Sequence, residues 1–199
     1  MQYQVEDDEL LYNWKLGWPY SLFMESIPQL TRTEADLISG LAAWPWHLIV
    51  FKDAKDNAYG EADRRFTLGA KDDSHNDAFR HAYWNALLTT DIAKDFASEY
   101  TTSHEGIPGN PASREAMDLY NNEVGRRIAA NNPGASHEEL AGLIEQAIYD
   151  GELLVIDGDG NLAWSNEVPE GQCGQVDKNE APLDGRPRDD FAEDTRSGQ

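Results

Sequence analysis

The 199-residue chain has one cysteine, sixteen basic residues against thirty-seven acidic ones, and no long apolar run. A single cysteine, Cys173, excludes an internal disulfide and leaves the redox compartment open. It lies in a polar Gly/Gln stretch and reads as exposed. The shortage of Lys and Arg leaves a net charge of −21, a field that repels phosphate backbones and disfavours unaided nucleic-acid binding. The same field disfavours docking on anionic lipid unless cations bridge the gap, and it keeps a protein soluble. The longest apolar run, "LAAWPWHLIVF", is broken by Pro45 and His47 and is too short to span a bilayer, so no transmembrane segment is expected. The opening "MQYQVEDDELLYNW" has neither a basic nor an apolar stretch of the secretory kind. A protein like this, acting outside its cell, would be secreted or delivered without a classical signal peptide; otherwise it stays in the cytoplasm.

What is present is helical periodicity. "EDDELLYNWKLG" reads as a short helix and "PYSLFMESIPQL" as a second. Thr31 with Glu34 forms a capping box for a third. Pro45 kinks or ends that helix, and "WHLIVFKDAKDNAYGEADRRF" resumes it to Phe66. A long helix follows from Ser74 to about Tyr100, then one starting at Pro111 and stopping at the Asn-Asn-Pro-Gly turn. Ser136 and Glu139 box the last helix, and Gly151 closes it. After it, "ELLVIDGDGNLAW" sets β-formers on both sides of a turn. The DGDGN turn departs from a calcium loop, because the required glycine and bidentate acid positions hold Leu162 and Val168. These signals describe a mainly α, single helical domain with a small C-terminal β-hairpin. The expected organisation is an N-terminal helical segment (1–47), a helical domain with its hairpin (48–168) and a disordered acidic tail (169–199). The Trp44-Pro45-Trp46 stretch reads as core, and His47 and His137 carry no role.

Three polar clusters exceed what core packing asks for. Asp77, Arg80, His81 and Trp84 share one helix face at i, i+3, i+4 and i+7, with His75 just before it. His104 and Glu105 stand where that helix ends. Glu115, Asp118, Asn122 and Arg126 form a stripe on the following helix. Two helices joined by a short loop pack antiparallel, which would bring His81 to Asp118 or Asn122 and leave His104 and Glu105 at the rim. A histidine with carboxylates beside it is a general base, and Arg80 or Arg126 can steady an anion. His75, Asp77, His81, His104, Glu105 and Asp118 also form a donor set for a divalent metal, although no HExxH or CxxC spacing is present. Arg–Asp pairs and Asn side chains can equally tie helices together without chemistry.

"DAFRHAYWNALLT", "HE", "MDLYNNEVGRRI" and "EELAGLIEQAIYDGELLVI" resemble an uncharacterised bacterial domain family. That family stands at the C-termini of wall-associated and polymorphic-toxin-like secreted proteins. The resemblance covers roughly Leu48 to Ile156. It implies a helical antibacterial toxin or effector domain with an immunity or delivery partner. Its shared polar set is Asp77, Arg80, His81, His104, Glu105, Asp118, Asn121, Asn122 and Arg126. "RHAYWN" is weakly similar to the helix of secreted phospholipases A2, but Ala82 stands where their calcium-binding aspartate would be. The reading that joins these signals is a hydrolase of a cell-envelope substrate, with a lipid or lipid-linked phosphoester preferred over peptidoglycan. The other reading is a binding or adaptor domain whose polar stripes are structural.

Overall fold

The computed structural model describes residues 3–15, 17–18, 29–177 and 179–180. Within them stand six helices and two small antiparallel sheets: α1 (Arg32–Leu41), α2 (Pro45–Arg65), α3 (His75–Asp91), α4 (Lys94–Glu105), α5 (Ala112–Asn131), α6 (His137–Tyr149), and strands β1 (Leu10–Leu11), β2 (Leu30–Thr31), β3 (Leu154–Ile156) and β4 (Leu162–Trp164). Both capping boxes form, Thr31 with Glu34 and Ser136 with Glu139, and Pro45 takes the first turn of α2, where its missing N–H leaves no gap. The expected hairpin joins β3 to β4, with Val155 opposite Ala163. Asp157 Oδ1 accepts from the backbone N–H groups of Asp159 and Asn161 at 2.9 Å, so that side chain closes a turn.

The centre of the molecule is α3. From His75 to Leu88 every residue except Arg80 is buried, so its polar face lies inside the protein, enclosed by α2, α4, α5 and α6. Phe79 packs with Phe66 and Tyr83, and Trp84 with Phe51 and Tyr100.

Expected as one helix to Tyr100, this segment breaks instead at Ile92–Ala93. Thr89 and Thr90 weaken the last turn through stiff β-branched side chains, the N–H groups of both Ile92 and Ala93 reach the carbonyl of Leu88, and Ala93 is extended. The turn lets α4 double back, so that Phe96 and Tyr100 pack on Phe51.

That reversal changes the pairing of α3 with α5. Asp73 meets Arg114, His81 meets Asn122 and Asn85 meets Arg126; the residue numbers climb together, so the two helices run parallel. The antiparallel packing expected of α3 with α5 is therefore not found; it is α4 that runs antiparallel to α3, where Asn85 meets Thr101 and His81 faces Glu105. Close approach of α3 and α5 needs Gly125: a Cβ there would lie 1.9 Å from the Ala82 carbonyl oxygen.

Other expectations also change. The helix read over 6–17 is, in its described residues, non-helical chain that carries β1 in a pairing with β2. Of the one read over 19–30, residues 19–28 lie outside the described residues and Leu30 stands in β2. Trp44 and Trp46 are exposed, at 68% and 71%. The tail read as disordered from 169 begins as packed chain. Val176 is buried, and the Gly174 N–H donates to the Ile156 carbonyl at 3.0 Å; residues 181–199 lie outside the described residues. Cys173 is half-buried against the core.

Two comparisons test this packing. Gly125→Ala should destabilise the fold by about 1–3 kcal/mol or more, since backbone meets backbone. Gly142→Ala, with open space at the α6 surface, should stabilise by about 0.5–1 kcal/mol; denaturant melts read both. Ending the chain after Val168 should lower the melting temperature relative to ending it after Glu180.

Candidate functional site

Asp77 and His81 sit one turn apart on α3, and Asp118 faces them from α5. His81 Nε2 lies 3.4 Å from Asp77 Oδ1 and 3.5 Å from Asp118 Oδ1. On the ring's other side, Nδ1 is 3.2 Å from Asn122 Oδ1 and 3.6 Å from Glu105 Oε1. All five side chains are buried. The Arg80 guanidinium pairs with Asp77 and covers the Tyr59 ring at 4.9 Å.

A chain of amides sets the imidazole tautomer. Arg126 Nη1 donates to Asn85 Oδ1 at 2.7 Å. A guanidinium only donates, so the Asn85 oxygen must face it, and Asn85 Nδ2 points the other way. That Nδ2 donates to Asn122 Oδ1 at 2.6 Å, which fixes the Asn122 oxygen toward His81. Nδ1 of His81 therefore carries a proton and donates it, leaving Nε2 between the two carboxylates.

Electrostatics follow from this enclosure. Burial disfavours the imidazolium of His81, but the neighbouring carboxylates of Asp118, Asp77 and Glu105 outweigh it and raise its pKa to about 9. Burial alone would raise Asp77; the adjacent His81 and the Arg80 charge pull it well below the usual carboxylate range. Asp118 moves the other way, pushed well up by burial and by Glu105 and Asp77. His104 donates from Nδ1 to Glu34 Oε1 at 2.8 Å. Burial works against its charged form, yet Glu34 and Glu105 raise its pKa overall.

The cluster opens into a polar cavity of about 360 Å³ bounded by Asp77, Arg80, His81, His104, Glu105 and Asp118, by Arg114, and by the loop 107–111. Among the described residues, six buried side-chain polar atoms lack a hydrogen-bond partner. Four of them belong to Arg80, Glu105, Asp118 and Asn122, each beside His81 or Asp77. Buried polar groups are otherwise nearly always paired, so this concentration marks a place built to meet something else.

Most expected site residues converge here, with three exceptions. His75 is a structural histidine: Nε2 bonds the Ser165 carbonyl at 2.8 Å, Nδ1 meets Cys173 Sγ at 3.4 Å, and the ring stacks on Phe66. Arg126 is spent on Asn85 and Thr101 and does not line the cavity, whereas Arg80 does. Asn121 bonds both backbone groups of Leu154 at 2.9 Å and anchors β3 to α5. The expected general base, His81, holds its proton to about pH 9 in this arrangement.

Sequence reasoning missed Arg114, Asp73 and Glu34. Arg114 forks onto Asp73 with two bonds of 2.7 Å. Asp73 adopts φ 64° and takes N–H bonds from Ile156 and Val176, tying α3, α5, β3 and the tail together. Its only local signal is the Asp-Asp-Ser run before the helix. Glu34 was legible as a cap, but not as the partner of a histidine 70 positions away.

A family model described as Domain of unknown function (DUF6973) matches residues 39–152. The chain belongs to that family, and the matched span contains the whole His81 cluster. No curated protein and no solved structure matches it.

Arg126→Met should cost about 1–3 kcal/mol, because it removes the charged donor to the buried Asn85 oxygen and leaves only the Thr101 hydroxyl, which the Ala97 carbonyl also claims. It should also release the His81 tautomer, read as a change in the ring-nitrogen NMR shifts. Unchanged stability and unchanged shifts would contradict the amide chain.

Proposed function

We propose that this DUF6973 member is a hydrolase working at His81, with an anionic, phosphate-bearing part of a cell-envelope lipid as its substrate. The observation that carries the reading is the set of unpartnered buried atoms around His81: donors on Arg80 and Asn122, acceptors on Glu105 and Asp118. A substrate phosphoester and an attacking water need both kinds. The cavity is polar and about 360 Å³, a size that suits a headgroup rather than an acyl chain. The bond cleaved is accordingly placed at the polar end of the lipid.

In this reading Asp77 and Asp118 hold the imidazole, the neutral Nε2 takes a proton from water, and Arg80 steadies the charge that develops on the phosphoryl oxygens. His104 and Arg114 sit at the cavity wall, where they meet the substrate's outer atoms. The toxin setting, delivery outside the producing cell and a protective immunity partner belong to the same proposal. They rest on the sequence resemblance together with the acidic surface, which disfavours nucleic acid as target. No helix among the described residues is long and apolar enough to cross a membrane, so the lipid would be reached from the aqueous side. The adaptor reading draws on one observation, the Arg126–Asn85–Thr101 network, which holds helices together away from the cavity.

Expression in the cytoplasm and in the periplasm, with and without His81→Ala, tests toxicity. Purified protein tested on phospholipid and on peptidoglycan separates the substrates. The expected result is periplasmic toxicity and phosphoester release, both lost in His81→Ala with the helical circular dichroism retained. Activity on peptidoglycan alone would overturn the lipid assignment, and a fully active His81→Ala would overturn the site. The pH profile adds a sign. A base must be neutral, so the rate should rise as pH climbs toward about 9. Glu105→Gln removes a charge that raises the His81 pKa, so it should shift that limb to lower pH. A limb left in place would contradict the assignment.

A further inference from the structure

One donor atom each from Asp77, His81 and Asp118 lies within 4.8 Å of the other two. The separations from His81 Nε2 to the carboxylate oxygens are 3.4 Å and 3.5 Å. Those lengths exceed the usual span of an N–H···O hydrogen bond, about 2.7–3.2 Å. They match the edge of a tetrahedron whose metal–ligand bonds are about 2.0–2.2 Å, since such bonds hold donor atoms about 3.3–3.6 Å apart. A lone Nε2 hydrogen can also satisfy only one carboxylate at a time. Asp118 is 4% exposed, and its Oδ1, the atom that faces Nε2, has no hydrogen-bond partner.

We propose that Asp77, His81 and Asp118 bind one divalent transition-metal ion of the zinc or manganese kind, with a cavity water in the remaining position. The surroundings have the form that holds metal ligands. Nδ1–H of His81 is donated to Asn122 Oδ1, leaving Nε2 as the lone-pair nitrogen, and outer partners of this kind orient a ligating imidazole. The second oxygen of Asp77 is held by the Asp73 N–H at 2.6 Å, which leaves Oδ1 to face the ion alongside Arg80. One imidazole with two carboxylates is a mixed nitrogen–oxygen set, favouring zinc or manganese over calcium or magnesium. The cavity opens on the same three residues, so the site keeps an accessible position, as catalytic metal sites do. His75 is excluded as a ligand, because both its ring nitrogens are engaged elsewhere.

This inference rests on the hydrolase reading and changes one step of it. With Nε2 on the ion, the metal takes over from the free imidazole in activating the water, and the Glu105 carboxylate, whose Oε1 is unpartnered beside the cavity, takes its proton. The test needs no substrate. Full-length protein, stripped with chelator, is dialysed against Co²⁺, Zn²⁺ or Mn²⁺, and bound metal is counted per chain. One ion per chain is expected, and Co²⁺ should show the intense visible bands of four- or five-coordination. Asp118→Asn and His81→Gln should weaken binding at least tenfold. Asn122→Leu should weaken it about 10–100-fold through the lost outer partner, whereas His75→Gln should leave it unchanged. Should the buried variants fail to fold, the wild-type Co²⁺ spectrum decides alone. The weak bands of an aquo-like six-coordinate ion, or uptake that His81→Gln does not reduce, would overturn the proposal. Metal bound without any hydrolysis would instead sink the hydrolase reading, and hydrolysis persisting in excess chelator would sink the metal.

Discussion

The structure is organised around one imidazole held among carboxylates inside a helix pair. His81 has Asp77, Asp118 and Glu105 within 3.6 Å, all buried, and bringing that many ionisable groups out of water is costly unless they meet one another or a ligand. The rest of the fold makes their meeting unavoidable. Gly125 lets α5 close onto α3 at Ala82, which carries Asp118 and Asn122 to the ring. The reversal at Ile92–Ala93 returns α4 so that Glu105 closes the other side. Arg114 on Asp73 pins the start of both parallel helices. Relaxing any of these contacts would leave charged groups buried without partners.

The polar residues around the ring divide by what their atoms touch. Arg126, Asn85, Thr101 and Asn121 have their hydrogen bonds made within the protein, and they lock the helices and the tautomer. Arg80, Glu105, Asp118 and Asn122 keep atoms unmet. Polar networks buried for stability are normally complete, so the incomplete half is the part left free to meet a ligand. The N-terminal segment serves the same wall of the cavity: Glu34 holds His104, and the Asp8 N–H reaches the Gly106 carbonyl at 2.9 Å.

Much of this was legible in the sequence, for local reasons. Capping boxes, Pro45 at a helix start and the hairpin turn declare themselves within a few residues. The Asp77/Arg80/His81 face shows because a 3.6-residue period stacks it on one side. Its meeting with Asp118 could be anticipated from two polar stripes that needed each other. The direction of α5 could not, because the break after Asp91 carries no Gly or Pro and is decided by aromatic packing on Phe51. Arg114 and Glu34 were hidden for a similar reason, since their partners are 41 and 70 residues away. Trp44 and Trp46 misled because aromatic character signals burial on average, whereas here the start of α2 projects them outward. Sparse apolar content made the tail look unbound, yet Val176 packs beside Met117 and Ile156, Cys173 lies against the core, and backbone bonds from Gly174 and Val176 hold its first part.

In this fold the buried carboxylates, more than desolvation, set the charge of the His81 ring. A histidine-resolved NMR titration of chelator-treated, full-length protein measures it directly. His81 should keep its proton through neutrality and titrate near pH 9, well above the free value of about 6.5. That midpoint should fall in Glu105→Gln. A His81 midpoint at or below about 6.5 would mean that desolvation outweighs the carboxylates, and would contradict the account.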